Sequence, residues 1–275
     1  MKKKKSTIII THIILMLGAI TMILPFLWMI STSLKPLSEV FVFPPKFFGS
    51  KIVWQNYTKL TERFPFWLFF LNSLKISIIV VFAQLVTSSM AGFVFARLNF
   101  RFRDSIFALY LATMMIPGQV TMIPNFILMK TYGLVDTHYS LILPALVSAF
   151  GTFLMRQFFL TIPKELEEAA RIDGCTPFDI YWRIFLPLSK PAIATLGIFV
   201  FMGIWNDFLA PLVYINSQNK MTLPLGLASM QGMYSTDWPA LMAGTTISLI
   251  PILVVFLAAQ DLFIKGVTLS GLKEG

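Results

Sequence analysis

Charge and cysteine are both scarce in this sequence. Only 13% of its 275 residues are charged and 56% are hydrophobic, whereas about a quarter of a soluble domain is charged. An ordinary water-soluble globule is thereby excluded, because its core has no use for so much apolar surface. The one cysteine, Cys175, rules out an internal disulfide, a zinc cluster and a CxxC redox pair. Beside a turn glycine it is a small filler. With two histidines, His12 and His138, and no HExxH or GxSxG, metal-dependent or triad catalysis lacks residues to carry it. A GxxxxGK[ST] phosphate loop is missing too, so this chain alone hydrolyses no ATP and binds no cofactor. The sequence reads as a non-enzyme.

What is present is apolar runs with basic residues between them. The net charge of +9 would suggest nucleic acid in a soluble protein. Here the positive residues fall in short loops beside long uncharged stretches, so membrane topology accounts for them and no nucleic-acid partner is implied. Spans are expected at 8–30, 76–96, 105–129, 137–159, 191–213 and 238–260, each near the length that crosses a bilayer. The result is an all-α membrane protein with six transmembrane helices in a lipid membrane. Lys and Arg are about twice as frequent on the side holding both termini, which makes the N- and C-termini cytoplasmic. The four lysines of residues 1–5 mimic a signal peptide, but the apolar run after them is long and lacks a cleavage site, so it reads as an uncleaved span.

Four segments follow: 1–30, the N-terminus and first span; 31–70, an extracytoplasmic segment whose aromatic run 64–71 lies in the interface or forms the entry to the next span; 71–264, a five-helix core; and 265–275, a cytoplasmic tail. Three arginines in RLNFRFRD, beginning with Arg97, mark a cytoplasmic loop. Pro117, Gly118 and Pro124 interrupt the third span near mid-membrane, as in a span that lines a cavity or in a kinked span that merely packs. Asp207, beside Asn206, is the single acid in the spans. It lines a translocation path or sits at the water interface.

Residues 163–187, PKELEEAARIDGCTPFDIYWRIFLP, form a polar island between two spans. Pro163 suits the first helical position, and Glu165, Glu167 and Glu168 complement the helix dipole. Gly174 ends this helix in a left-handed turn. Thr176, Pro177 and Asp179 then cap a second helix that ends by Pro187. The first helix is expected to expose Glu168, Ala169 and Ala170 to a partner, with Arg171 pairing with Glu168. A compact helix pair between two spans is a docking surface.

Those residues also carry a resemblance. Glu168-Ala169-Ala170, three residues, Gly174, nine residues, then Ile184-Phe185-Leu186-Pro187 is similar to the EAA loop of bacterial ABC-importer permeases. Together with WNDFLAPL at 205–212, the loop 219–244 and the tail FIKGVTLSGLKEG, the chain resembles the smaller permease subunit of carbohydrate importers of the maltose and glycerol-3-phosphate type. The resemblance implies the type I ABC-importer permease fold in a bacterial plasma (inner) membrane. It implies a second, different permease, an ATPase dimer that binds ATP and Mg, and an extracytoplasmic solute-binding protein. ATPase coupling would fall to Glu168, Ala169, Ala170, Arg171, Asp173, Gly174, Ile184, Leu186 and Pro187, and contact with the binding protein to Ser235, Thr236, Asp237 and Trp238. Cargo would be sugars, oligosaccharides or glycerol-phosphate-like solutes. The alternative is a stand-alone secondary transporter or channel that uses Asp207.

Overall fold

A computed structural model of the chain describes residues 5–232 and 236–271. Ser235 and the end of the tail, 272–275, lie outside the described residues. The helices in chain order are α1 (Lys5–Ser33), α2 (Gln55–Arg63), α3 (Phe66–Arg97), α4 (Arg103–Ala112), α5 (Gly118–Thr131), α6 (Tyr139–Ile142), α7 (Ala149–Leu160) and α8 (Lys164–Ile172). After them come α9 (Pro177–Leu188), α10 (Lys190–Trp205), α11 (Leu209–Tyr214), α12 (Leu223–Ser229) and α13 (Trp238–Gly271). Among the described residues four helices are long and apolar enough to cross a membrane, and the number rises to as many as six if each of two bent pairs is one span.

Several boundaries differ from the sequence expectation. The second span begins at Phe66, ten residues before the uncharged run at 76, so the aromatic run 64–71 is its entry and Lys75 lies inside a helix. A single lysine on a long flexible stem does not end a helix whose other side chains are apolar. The segment 31–70 therefore closes at the start of α3. The third span is broken as expected: α4, continued through 113–115, meets α5 at 96°, with Pro117 as the cap of α5 and Gly118 its first residue. The fourth candidate span, Tyr139–Leu160, is interrupted at 146–148 before Ser148 caps α7 through Gly151 N (3.0 Å). The fifth span is shorter than expected, because α10 ends at Trp205 and α11 is a separate short helix.

The chain divides into two compact units. One comprises Met1–Trp67 and Leu227–Ile250. Within it the end of α1 is tied down by polar contacts: Lys35 Nζ donates to Lys46 O (2.6 Å) and lies 4.4 Å from the Trp28 ring, while Asn56 Nδ2 donates to Ser33 O and Lys35 O. Lys35 is desolvated there, which lowers its pKa.

The other unit, Leu68–Gly226 and Pro251–Gly275, holds the main apolar core. In it α3 and α7 run parallel. Ser88 lies against Gly151 and Gly92 against Met155, so each partner sits 63 positions further along the chain. A constant offset of this kind means that the second and fourth spans point the same way, as alternate spans of one chain must. At one end of this unit Asp136, in a left-handed turn, accepts from Asn216 N (3.0 Å), Ser217 N (2.8 Å), Ser217 Oγ (2.6 Å) and Lys220 Nζ (3.2 Å). Ser217, through its hydroxyl and then its N–H, holds the carboxyl well below the usual carboxylate range.

A depressed folded-state pKa contributes stability that is present above the unfolded value and is lost only as pH falls through the folded one. Acidification to about pH 4, the ordinary Asp pKa, should therefore leave this clasp closed. Asp136→Asn should lose about tenfold or more of the Ser217 amide's protection from hydrogen exchange at neutral pH, since bonds to charged groups are the stronger ones. Equal protection in the two proteins would remove the charge from the account.

Candidate functional site: a polar helix pair and its clamp

The island at 163–187 folds into two helices, α8 and α9, joined by a tight turn. Pro163 is the cap of α8 and Lys164 its first residue, one position later than expected. At the other end Gly174 has φ +81°, its N–H donates to Arg171 O (3.1 Å), and Cys175 N–H donates to Ala170 O (2.9 Å). These paired bonds satisfy the last carbonyls of α8 and require the left-handed residue that glycine supplies. Thr176 Oγ1 then accepts from Asp179 N (3.2 Å) while Asp179 Oδ2 accepts from Thr176 N (3.1 Å), the expected reciprocal cap of α9.

The second helix does not stop at Pro187. It continues to Leu188 and widens into a π turn over Tyr181–Phe185, and then the chain bends by 77° into α10. Pro191 lacks the N–H that a continuous helix needs at that point, and Ser189 Oγ satisfies Phe185 O (2.6 Å). Tyr181 and Phe185 both turn inward from the π turn and are buried. Phe93 on α3, Phe159 on α7 and Phe185 on α9 meet edge to face at 6.2, 5.1 and 5.6 Å. Such pairs contribute about 0.5–1.5 kcal/mol each beyond burial.

The decisive residue in this packing is Arg97. Rather than opening a loop, it is the last residue of α3 and is buried. Its Nη2 donates to Phe159 O (2.5 Å), in the last turn of α7, and to Ile162 O just beyond it. Its Nη1 lies 3.8 Å from Glu167 of α8, and its guanidinium stands 4.8 Å from the centre of the Phe185 ring of α9. One side chain thus joins the end of α3, the end of α7 and both helices of the pair.

Two expectations change accordingly. Arg171 pairs with Glu167 (2.6 Å, four residues back) and not with Glu168. Ala170 is not offered to a partner: it is buried against the apolar core, where its small size lets α8 lie close. Glu168 and Ala169 are exposed, as are Asp173 and Gly174. Ile184 and Leu186 are partly buried against the core and Pro187 is exposed. The outward face also carries apolar groups that the sequence pattern does not single out. Ile172 is 86% exposed, and Phe178 and Trp182 stack in parallel at 6.5 Å while both face out. A helical pair that buries Glu167 while exposing Ile172, Phe178 and Trp182 presents a surface for another protein.

The model of the family described as "Binding-protein-dependent transport system inner membrane component" matches residues 84–269, which include the whole helix pair. The chain belongs to this family. It is 38% identical over 258 residues to the arabinooligosaccharides transport system permease protein AraQ of Halalkalibacterium halodurans, covering 91% of each chain. It is 33% identical to the lactose transport system permease protein LacG of Rhizobium radiobacter, covering 94% of each. A chain of a bacterial ABC transporter involved in the import of the acidic polysaccharide alginate has the same fold, with a TM-score of 0.83 at 23% identity over 95% of this chain and 99% of that one.

The protein is thus a multi-pass permease of an inner-membrane ABC system that works with a binding protein, and it is a transport subunit without catalysis of its own. Elsewhere in this permease the remaining candidate residues have local roles. Asn206 Nδ2 donates to Met202 O (2.8 Å), and Asp207 Oδ1 accepts from Ala210 N (3.3 Å), so both stitch the break between α10 and α11. Asp237 Oδ1 accepts from Ala240 N (3.2 Å) at the start of α13, Trp238 meets Phe41 edge to face at 5.8 Å, and Thr236 pairs with Gln231.

Proposed function

We propose that this permease imports a carbohydrate and that the α8–α9 pair is where a partner ATPase drives it. The observation that carries the reading is the clamp of Arg97, which fixes the inner face of the pair to the ends of two spans. Movement imposed on the outward face, at Glu168, Ala169, Ile172, Phe178 and Trp182, then has no soft joint in which to dissipate. It reaches α3 and α7 as rigid rotation. The partners in this reading are two ATPase subunits that bind ATP and Mg, a second and different permease, and a binding protein that meets the segment at 235–238. Both termini lie on the ATPase side. Sugars, oligosaccharides or glycerol-phosphate-like solutes are the cargo, in line with the arabinooligosaccharide and lactose systems of the relatives.

Gly174 tests the joint within the pair. A Cβ there meets nothing within 4 Å, so Gly174→Val strains only the φ of +81°. A left-handed conformation costs an L-residue about 1–2 kcal/mol, which reorients α8 against α9 and shifts a two-state balance by about tenfold. The co-expressed complex should assemble with a near-normal Tm. Sugar-stimulated ATP hydrolysis and uptake in proteoliposomes should fall together by about that factor. Full activity in Gly174→Val would remove the turn from the mechanism, and failure of any ATPase to co-purify would sink the importer reading.

A further inference from the structure

A cleft of about 210 Å³ lies where α3, the start of α7 and α10 converge, apart from the helix pair. We infer that it is a cargo contact that takes one sugar ring against Phe150 and Phe199, with Gln84 reading a hydroxyl; the inference rests on the carbohydrate reading above. Three observations lead there.

The first is depth. Gln84 stands well inside the 32-residue α3, and Ser148 lies midway along Tyr139–Leu160. Sites in transporters lie near the bilayer midplane, on helices whose backbone is interrupted. The fourth span is interrupted at 146–148. Its freed carbonyls are met by side chains of α3: Gln84 Nε2 donates to Ala145 O (2.7 Å) and Thr87 Oγ1 to Leu146 O (3.0 Å). Irregular backbone at this depth does not face lipid.

The second is the amide itself. Gln84 is 8% exposed and is one of the residues that line the cleft. Its Nε2 is engaged with Ala145, and among the described residues no hydrogen bond reaches its Oε1. A buried polar group in a span that keeps an acceptor free on a cleft marks a pathway rather than packing.

The third is the pair of rings. Phe150 and Phe199 stand edge to face at 6.0 Å on the cleft and are 41% and 49% exposed. Sugar rings have apolar C–H faces that lie on aromatic rings and a polar rim that needs hydrogen bonds, which is the mixture this cleft offers. It is smaller than the roughly 300–1,000 Å³ of a drug-sized site. A weak contact for one ring at a time suits a path that must release its cargo.

The test uses the complete complex of both permeases, the ATPase and the binding protein in proteoliposomes, with arabino-oligosaccharides and lactose as probes. Gly203→Leu is the first variant. Gly203 lines the cleft and a Cβ there meets nothing within 4 Å, so the larger side chain starts from open space and is expected to narrow the cleft. Phe199→Ala and Gln84→Leu remove the ring and the amide. Each variant should lower uptake by about three- to tenfold, the loss expected for one neutral hydrogen bond or its equivalent. ATP hydrolysis stimulated by the loaded binding protein should stay at the wild-type level, since the helix pair is untouched. Uptake unchanged in Gly203→Leu and Phe199→Ala would overturn the assignment and leave the cleft to lipid or to the second permease. If neither sugar stimulates hydrolysis or is taken up by the wild-type complex, the carbohydrate reading fails instead.

Discussion

Arg97→Met should separate ATP hydrolysis from transport. The substitution keeps the apolar stem of the side chain and removes every polar contact at the end of α3. Glu167 is not left alone, because Arg171 already holds it at 2.6 Å from a more exposed position. What is orphaned is the turn after α7, where the Ile162 carbonyl loses its donor while the Phe159 carbonyl keeps only the backbone N–H of Thr161 and Ile162. Removing one partner from a buried charged group costs about 3–5 kcal/mol, an upper bound here since Arg171 remains. The aromatic cluster of Phe93, Phe159 and Phe185 still holds α9 to the core. The complex should therefore assemble and bind its ATPase, while the joint between the pair and the two spans becomes soft. Uptake should fall to below about a tenth of wild type, the loss that 1.4 kcal/mol of lost coupling already produces. ATP hydrolysis should persist and lose its dependence on the loaded binding protein. Arg97→Lys should recover only part of this, because one ammonium cannot serve two carbonyls and a carboxylate in the fork geometry of a guanidinium. A fall of uptake and hydrolysis in equal proportion, with poor assembly, would give Arg97 a purely structural role.

Much of the helix pair is legible in the sequence, because its ends are set by local chemistry. Gly174, Thr176, Pro177 and Asp179 act on their immediate neighbours, so turn and caps follow from spacing alone. The 96° break at Pro117 and Gly118 is legible for the same reason. What escapes is non-local. Arg97 looks like one of the loop arginines, since nothing nearby says that α3 continues through it to meet α7 and α9. A signal is there all the same: Ser89, Phe93 and Arg97 recur every four residues on one face of α3, and each touches α9. Ser89 Oγ lies 2.8 Å from Tyr181 Oη, Phe93 meets Phe185, and Arg97 stands over Phe185. The facing of α8 escapes too. Glu167 and Ala170 are buried and Glu168 and Ala169 exposed, a choice that depends on which side of the helix meets the core. Likewise the acidic residues 165, 167 and 168 look alike in sequence, but only one of them has a buried arginine to meet.

Gly92→Leu should be among the most damaging substitutions for stability in the spans. A Cβ at Gly92 would lie 2.8 Å from Met155 Cβ and 2.9 Å from the Arg156 backbone nitrogen. The nearest atoms are the first side-chain atom and the main chain of α7, so no rotamer change makes room and the two helices must separate. Small residues at helix contacts serve this close approach in membranes, where packing rather than water drives association. Even Gly92→Ala should cost about 1–3 kcal/mol, the usual penalty for overpacking. Leucine should exceed that, since its branch enters the same gap. Because Gly92 lies between the Ser88–Gly151 contact and Arg97, separation there also withdraws the Phe159 and Ile162 carbonyls from the clamp. The measurement is thermal unfolding of the detergent-purified complex, with Gly203→Leu as the control. Both are glycine-to-leucine changes in spans, but a Cβ at Gly203 meets open space. Gly92→Leu should lower Tm by roughly 2–4 °C for each kcal/mol lost, or fail to accumulate, whereas Gly203→Leu should unfold with the wild type. Equal Tm values for the two variants would mean that α3 and α7 do not cross as closely as the Gly92–Met155 contact requires, and the position of Arg97 over the end of α7 would fall with it.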